Sequence, residues 1–447
     1  MKSIGLTNLL AEHCLSLGKD VPLDTDLKIA SHCLLDWLAV GRAGWNETAT
    51  QILYSEILIE GGNPQATLLN GSKATTIQAS ILNGTASHVL DFDDVHLQSR
   101  VHPSTPLWSA ILAESEVLMV SGIKVFQAFI AGVEMQSRIA LVMGEDHYNQ
   151  GWHNTATLGC FGATTAIAVM HGLSANQLQQ ALGICATQAA GMRTAFGTMC
   201  KPLHAGRAAA IGMQSARLAK KGFTAPLDTL EMPQGFFELY AHHRNPSNGL
   251  QNLESLCFRN IIFKYNASCY GTQAPIEACK RLVQDHNLAP QDIERIDIDI
   301  EMQYVSVCCI QHPKSSSEAK FSIAYMCALA LSKLSTVSPE SFYKSQLENK
   351  VLIDLCAKTY IEGKIEIPRA NAQVRILLKN GQKYSFLYNA NLPEVNLSNQ
   401  EGKIISKANA LLTSNMTEGQ AIILIRNALT LFEEKNSNKL LKSLTSL

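Results

Sequence analysis

Arg295-Ile-Asp-Ile-Asp-Ile-Glu-Met-Gln-Tyr304 is the stretch on which the fold turns. Ile296, Ile298 and Ile300 alternate with acidic residues, a period of two that sets branched apolar side chains on one face of a strand and acids on the other. Nothing upstream reads this way. From Leu6 to about Phe258 apolar residues recur at three- and four-residue spacing among many Ala and Gly, as in Leu27–Gly44, Thr76–Leu90, Leu107–Met119 and Ala205–Lys220. That pattern predicts helices packed closely against one another. Downstream, Tyr360–Ile367 is a second alternating run, and Val374–Lys379 and Tyr384–Leu387 flank Asn380-Gly381, a pair that favours the type I′ turn of a tight hairpin. Helices expected over Pro275–Gln284 and Ser317–Leu334 interleave with these strands, the second opened by Ser315 and Glu318 as a capping box. From about Leu392 helix returns, over Ala408–Leu412 and Gly419–Glu434. The expected fold class is therefore mainly α. A large all-helical domain is formed by both chain ends, residues 1–260 and 392–447, and a smaller α+β lid by residues 261–391.

Composition narrows the function. The chain has 447 residues, 46% hydrophobic and 17% charged, enough to bury two cores and too apolar for disorder. Lys and Arg total 37 against 38 Asp and Glu, for a formal net charge of -1. With no basic cluster, a nucleic-acid partner is not expected. No membrane role is expected either, because the apolar stretch Phe126–Met143 is interrupted by Glu134 and Arg138. The N-terminal apolar stretch is broken by Glu12 and His13 and reads as an amphipathic helix, not a signal peptide. The 12 cysteines are scattered, many in helical stretches (Cys160, Cys185, Cys327), without C-x-x-C or zinc spacing. Buried reduced thiols in a cytoplasmic protein are expected.

Two segments carry chemistry. In the first, His88-Val-Leu-Asp91-Phe-Asp93-Asp94-Val-His96-Leu-Gln-Ser-Arg100-Val-His102-Pro103, a helix ends in three carboxylates within four residues. Acids are disfavoured at a helix C-terminus, so something must compensate them. The loop then carries His96, Arg100 and His102 before the next helix, with Thr105 as candidate N-cap. Such a polar connection between apolar helices reads as a functional loop, with a solvated turn of surface ion pairs and a divalent-metal site as alternatives. The second is Gly197-Thr-Met-Cys-Lys201-Pro202-Leu-His204-Ala-Gly-Arg207. Pro202 suits the first helical position, which places Lys201 at the cap and His204 one turn on. This is either a carboxylate or phosphate site at a helix N-terminus or an ordinary capped helix. Gly159-Cys-Phe-Gly162 has no strand before it and no third glycine, so no dinucleotide fold is expected from it.

Taken together, these segments resemble the MmgE/PrpD family, whose members include 2-methylcitrate dehydratases, cis-aconitate decarboxylases and iminodisuccinate epimerases. The resemblance runs through Gly151-Trp-His153-Asn-Thr-Ala-Thr157, Lys220–Thr224, Gly235-Phe-Phe237, Phe263-Lys-Tyr265 and Glu318-Ala-Lys320-Phe-Ser322 to Tyr325. It implies a homodimer that handles a small polycarboxylate with no organic cofactor or metal. Asp91, His102, Lys201 and Tyr325 stand at positions matching catalytic or substrate-contacting residues of the family. Abstracting a proton α to a carboxylate needs a base near that proton and cations over the developing enolate. His102 suits the acid–base role, with Asp91 orienting it; Lys201 and Arg100 suit carboxylate binding, joined by Asp94, His153, His204 and Gln273 as expected substrate contacts. Two departures stand out. Gln273 replaces a histidine of many members and acts as an amide contact or a helix support. Val95 replaces the threonine of decarboxylase members, and the loop to His102 is a residue longer than theirs. The expected function is a lyase, a dehydratase or decarboxylase, on a citrate- or aconitate-like acid. An epimerase or isomerase is the alternative, and a silent ligand-binding member the alternative of another class.

Overall fold

The computed structural model describes residues 5–445. It divides into two compact units, one comprising the chain up to Phe263 together with Val395 onward, the other Lys264–Glu394.

The larger unit is helical, its strands limited to two-residue pairs such as Val95–His96 against Ile261–Ile262. At its centre runs the Gly122–Met143 helix. By length and composition it is apolar enough to cross a membrane, but 94% of its most apolar window is buried inside the unit. The pair that interrupts it, Glu134 and Arg138, is buried too. Arg138 Nε donates to Glu134 Oε1 at 2.7 Å, and the remaining guanidinium N–H groups go to the carbonyls of Gln251, Asn252 and Ser255. A charge pair is tolerated there because almost every donor is satisfied.

Two glycines bring a pair of helices into backbone contact. A Cβ on Gly84 would lie 2.7 Å from the Cα of Gly206, so the Thr76–His88 and Cys200–Lys220 helices meet with no side chain between them. The first helix opens on a Thr75–Gln78 capping box. The second begins at Cys200, two residues before the expected start. Lys201 therefore lies in the first turn with Pro202 behind it, where the missing proline N–H is no loss. The C-terminal Leu397–Leu412 helix packs on the Asp24–Gly44 helix. Buried Lys407 joins them: its Nζ lies 2.6 Å from Asp36 Oδ1, donates to the Phe92 carbonyl at 2.6 Å and sits 3.8 Å over the Phe92 ring.

The smaller unit holds a four-stranded sheet in the order Thr359–Lys364, Ile293–Glu301, Asn371–Leu378, Lys383–Asn389. The first pair is parallel, the other two antiparallel. Ile296, Ile298 and Ile300 are buried in its core, as their alternation requires. The strand stops at Glu301 and a helix, Met302–Cys308, takes over where the alternation ends. The hairpin turn differs from expectation. Only Gly381 has positive φ, at 86°, its N–H bonds back to the Leu378 carbonyl at 2.8 Å, and Leu378 N–H bonds the Gln382 carbonyl at 2.9 Å. This is a three-residue loop closed by a left-handed glycine, not a type I′ turn. The helix expected over Ser317–Leu334 is two helices, Ser316–Ala319 and Ile323–Leu331. Ser322 breaks it by capping the second, accepting from the Tyr325 N–H at 3.1 Å.

Replacing Lys407 by Met is expected to destabilise the protein by about 3–5 kcal/mol, because it strands the buried Asp36 carboxylate. The urea midpoint of the K407M protein measures this; a midpoint equal to wild type would mean Asp36 has other compensation.

Candidate active site

The three carboxylates at the end of the Thr76–His88 helix have three separate fates. Asp91 adopts positive φ, 50°, which reverses the chain and sends Phe92, Asp93 and Asp94 inward. Its own side chain stays half-exposed, and Lys201 Nζ donates to its Oδ1 at 2.7 Å. Asp93 is fully buried between two imidazoles: His88 Nδ1 and His102 Nδ1 each lie 2.9 Å from its Oδ2. The His88 contact is a hydrogen bond, whereas His102 Nδ1 is not in line for one. Asp94 accepts from Ser104 N–H at 3.2 Å and Ser104 Oγ at 2.5 Å, so it caps the Ser104–Leu118 helix in place of the expected Thr105. Its position there suits the positive end of the dipole. Fully buried, Asp94 has no face for a substrate within this unit.

Electrostatics follow from burial. Desolvation alone would raise the Asp93 carboxyl, but the two imidazoles outweigh it and hold it well below the usual range. Burial lowers His88 to about 4, against the pull of Asp93. Burial raises Asp94 to about 8, reinforced by the nearby Asp36 charge. Burial, then the charges of His88 and Lys201, push His153 well below the ordinary histidine range.

The expected residues of this unit gather in part. His153 Nδ1 and His204 Nδ1 are 3.1 Å apart, so one ring carries the proton that the other accepts. Ring contacts link the imidazoles in a row, His102 to His88 at 4.7 Å, His88 to His153 at 5.9 Å and His153 to His204 at 5.3 Å. Phe196 closes the row, 5.0 Å from His153 with Lys201 Nζ 5.5 Å over its face. Asp91, His102, Lys201, His153 and His204 thus form one cluster, bounded by His88 and Asp93 of the same segment and by Phe196, which sequence reasoning did not single out. The carboxylate against His102 Nδ1 is Asp93, while Asp91 Oδ1 lies 3.8 Å from its Nε2. His88 and Asp93, five residues apart at a helix end, were the visible signal. Arg100 is turned elsewhere: it pairs with Glu145 and lies 4.5 Å over Tyr148, a ring that Arg193 also covers at 3.9 Å. His96 is structural, its Nε2 3.0 Å from the Cys257 carbonyl and its Nδ1 2.7 Å from Ser99 Oγ.

Tyr325 and Gln273 belong to the smaller unit, where both are buried and engaged. Tyr325 Oη donates to the Ser341 carbonyl at 2.6 Å, and burial pushes the hydroxyl up to about 12. Gln273 Oε1 accepts from Asn266 N–H at 3.2 Å and Asn266 Nδ2 at 3.1 Å, while its Nε2 donates to the Asn266 and Ser268 carbonyls at 3.0 and 3.1 Å. The amide thus supports the opening of the Tyr270–His286 helix.

Comparison with known proteins agrees across the chain. A sequence model of the MmgE/PrpD N-terminal domain matches residues 9–248, and one of the MmgE/PrpD C-terminal domain matches residues 266–431. Cis-aconitate decarboxylase of Homo sapiens is 27% identical over 407 residues, covering 86% of this chain and 82% of its own. The Mus musculus enzyme of that name is 28% identical, covering 81% and 77%. That of Aspergillus terreus is 28% identical, covering 76% and 74%.

A carboxyl raised by folding binds its proton more tightly in the native state, so its contribution to stability falls as pH rises from the unfolded value of about 4 to 8. The depressed histidines and raised thiols also change charge in the unfolded state near this range, but equally in a variant, so a difference in slope belongs to Asp94. Asp94→Asn, which keeps the cap acceptor, should flatten the decline in melting temperature between pH 6.5 and 8. An equal slope in both proteins would show that Asp94 is not raised.

Proposed function

The chain belongs to the MmgE/PrpD family, and from that premise we propose that it is a cofactor-independent lyase acting on a small di- or tricarboxylate, a methylcitrate- or aconitate-like acid. One observation carries the reading: a single carboxylate oxygen, Asp91 Oδ1, lies 2.7 Å from Lys201 Nζ and 3.8 Å from His102 Nε2. A carboxylate is therefore stable between an ammonium and an imidazole at this place. A substrate carboxylate takes the ammonium from Asp91, which is half-exposed and has room to swing. The carbon next to that carboxylate then faces His102.

Asp93 backs His102 from the Nδ1 side, which leaves Nε2 to do the proton transfer and stabilises the imidazolium that results. In an elimination, Nε2 takes the proton α to the carboxylate, electron density collects on the carboxylate oxygens beside Lys201, and hydroxide leaves as water with a proton returned. In a decarboxylation, CO2 departs and the imidazolium protonates the carbon it leaves. Both need one acid–base group and one fixed cation. The names of the relatives support the lyase reading and a tricarboxylate substrate. An isomerase that removes and returns the same proton is the second reading, favoured by the longer loop between Asp91 and His102.

Incubating the pure protein with a panel of di- and tricarboxylates in deuterated water, followed by NMR, tests the proposal. A lyase gives an unsaturated or decarboxylated product; deuterium uptake with altered stereochemistry and no product means an isomerase; ligand binding with neither sinks both. On the active substrate, His102→Ala should lower kcat by roughly 10²–10⁴. Lys201→Ala should forfeit a charge-assisted contact of about 1.5–3 kcal/mol in kcat/KM. Its melt should stay near wild type, because the Asp91 left behind is half-exposed. Turnover should also survive exhaustive chelation and dialysis; activity restored only by a divalent ion would overturn that part.

A further inference from the structure

His88, Asp91, Asp93 and His102 each offer one possible ligand atom, the four atoms lying within 4.8 Å of one another. Three other features of the cluster are unusual for side chains so placed. His88 Nε2, Asp93 Oδ1 and His102 Nδ1 are all buried without a hydrogen-bond partner. Buried polar atoms are ordinarily paired, so Asp93 Oδ1 and His102 Nδ1 in one cluster call for a missing partner. The partner that suits two imidazoles and two carboxylates is a cation.

We propose that this cluster binds a divalent transition-metal ion, of the zinc, cobalt or manganese type, and that the ion competes with Lys201 for Asp91. The donor set excludes the oxygen-only preference of calcium and magnesium and lacks the thiolate that soft ions need. The distances fit. Zinc binds histidine nitrogen and carboxylate oxygen at about 2.0–2.2 Å, so two donors 2.9 Å apart subtend about 90° at the ion. Opening them by about 0.4 Å reaches a tetrahedron. Ligation through Nδ1 needs each imidazole to carry its proton on Nε2.

Lys201 Nζ and the ion cannot share Asp91 Oδ1 without like-charge repulsion, so the ion displaces the ammonium. It also occupies the lone pair or backing carboxylate on which His102 depends. The metal-bound protein is thus an inhibited form. The inhibition rests on the catalytic reading of Lys201 and His102; the binding does not.

The test uses the tag-free full chain. Titration with Zn2+ by calorimetry should show one saturable site per chain, and Co2+ in its place should give the visible ligand-field bands of a nitrogen–oxygen site without thiolate charge transfer. Asp91→Asn and His102→Gln should each weaken binding at least tenfold. Asp91 is half-exposed, so its variant keeps the fold even if the other does not. Wild-type affinity in Asp91→Asn, thiolate bands, or no site at one ion per chain overturns the proposal. Where a substrate is in hand, Zn2+ should raise KM and a chelator reverse it; tight binding at this cluster with unchanged turnover overturns the competition with Lys201 and leaves the catalytic reading to be tested on its own variants.

Discussion

At Gly84 and Gly206 two helices touch with no side chain between them, and the rest of the site is set out from that contact. One helix delivers His88 and the turn at Asp91 from its C-terminus; the other carries Lys201 and His204 in its first two turns. A side chain at either glycine would meet the backbone of the facing helix, so the two could not approach this closely. Close packing of small residues here therefore sets where the Asp91 turn and Lys201 meet, and not only stability.

Crowding acids at a helix end is unfavourable, and the chain resolves it by giving each a different partner. Asp91 takes an ammonium, Asp93 takes imidazoles, and Asp94 takes the N-terminus of the next helix. The positive φ at Asp91 makes this possible, because without the reversal all three would face the negative end of one dipole. Beneath them Lys407 ties the Phe92 carbonyl to Asp36, so a helix from the far end of the sequence braces the loop.

Much of this was legible in the sequence where the signal was local and periodic. The isoleucine alternation identified a strand whose Ile296, Ile298 and Ile300 are buried, and apolar spacing identified the main helices. The segments of Asp91 and Lys201 stood out because acids at a helix end and a lysine at a helix start are electrostatically unusual. What escaped depends on tertiary contacts. Asp93 is indistinguishable from its neighbours until the chain reverses at Asp91. Asp94 outcompetes Thr105 as a cap only because the loop folds it onto Ser104. Ser322 interrupts an apolar run that periodicity reads straight through. The role of Gln273 is open in the sequence because an amide can serve a ligand or a helix, and its bonds to Asn266, Ser268 and Cys269 within the smaller unit are those of the second use.

On the proposed reading a single residue carries the proton, and the row of imidazoles supplies a physical reason. Histidines in mutual contact cannot all be charged, and burial settles the matter by keeping His88 and His153 neutral at physiological pH. His88 and His153 are also sealed from solvent, at 1% and 2% exposure. His102 differs in exposure: its side chain is 15% exposed, with the fully buried Asp93 carboxylate 2.9 Å from its Nδ1. On that reading a proton taken from a substrate must eventually reach water, and of the two imidazoles against Asp93, His102 is the one with exposed surface. The neutral rings around it then serve as a polar wall that accepts or donates hydrogen bonds without adding charge. Lys201, paired with Asp91, is on the same reading the group placed to meet the negative charge that develops when a proton is drawn from the carbon beside a bound carboxylate.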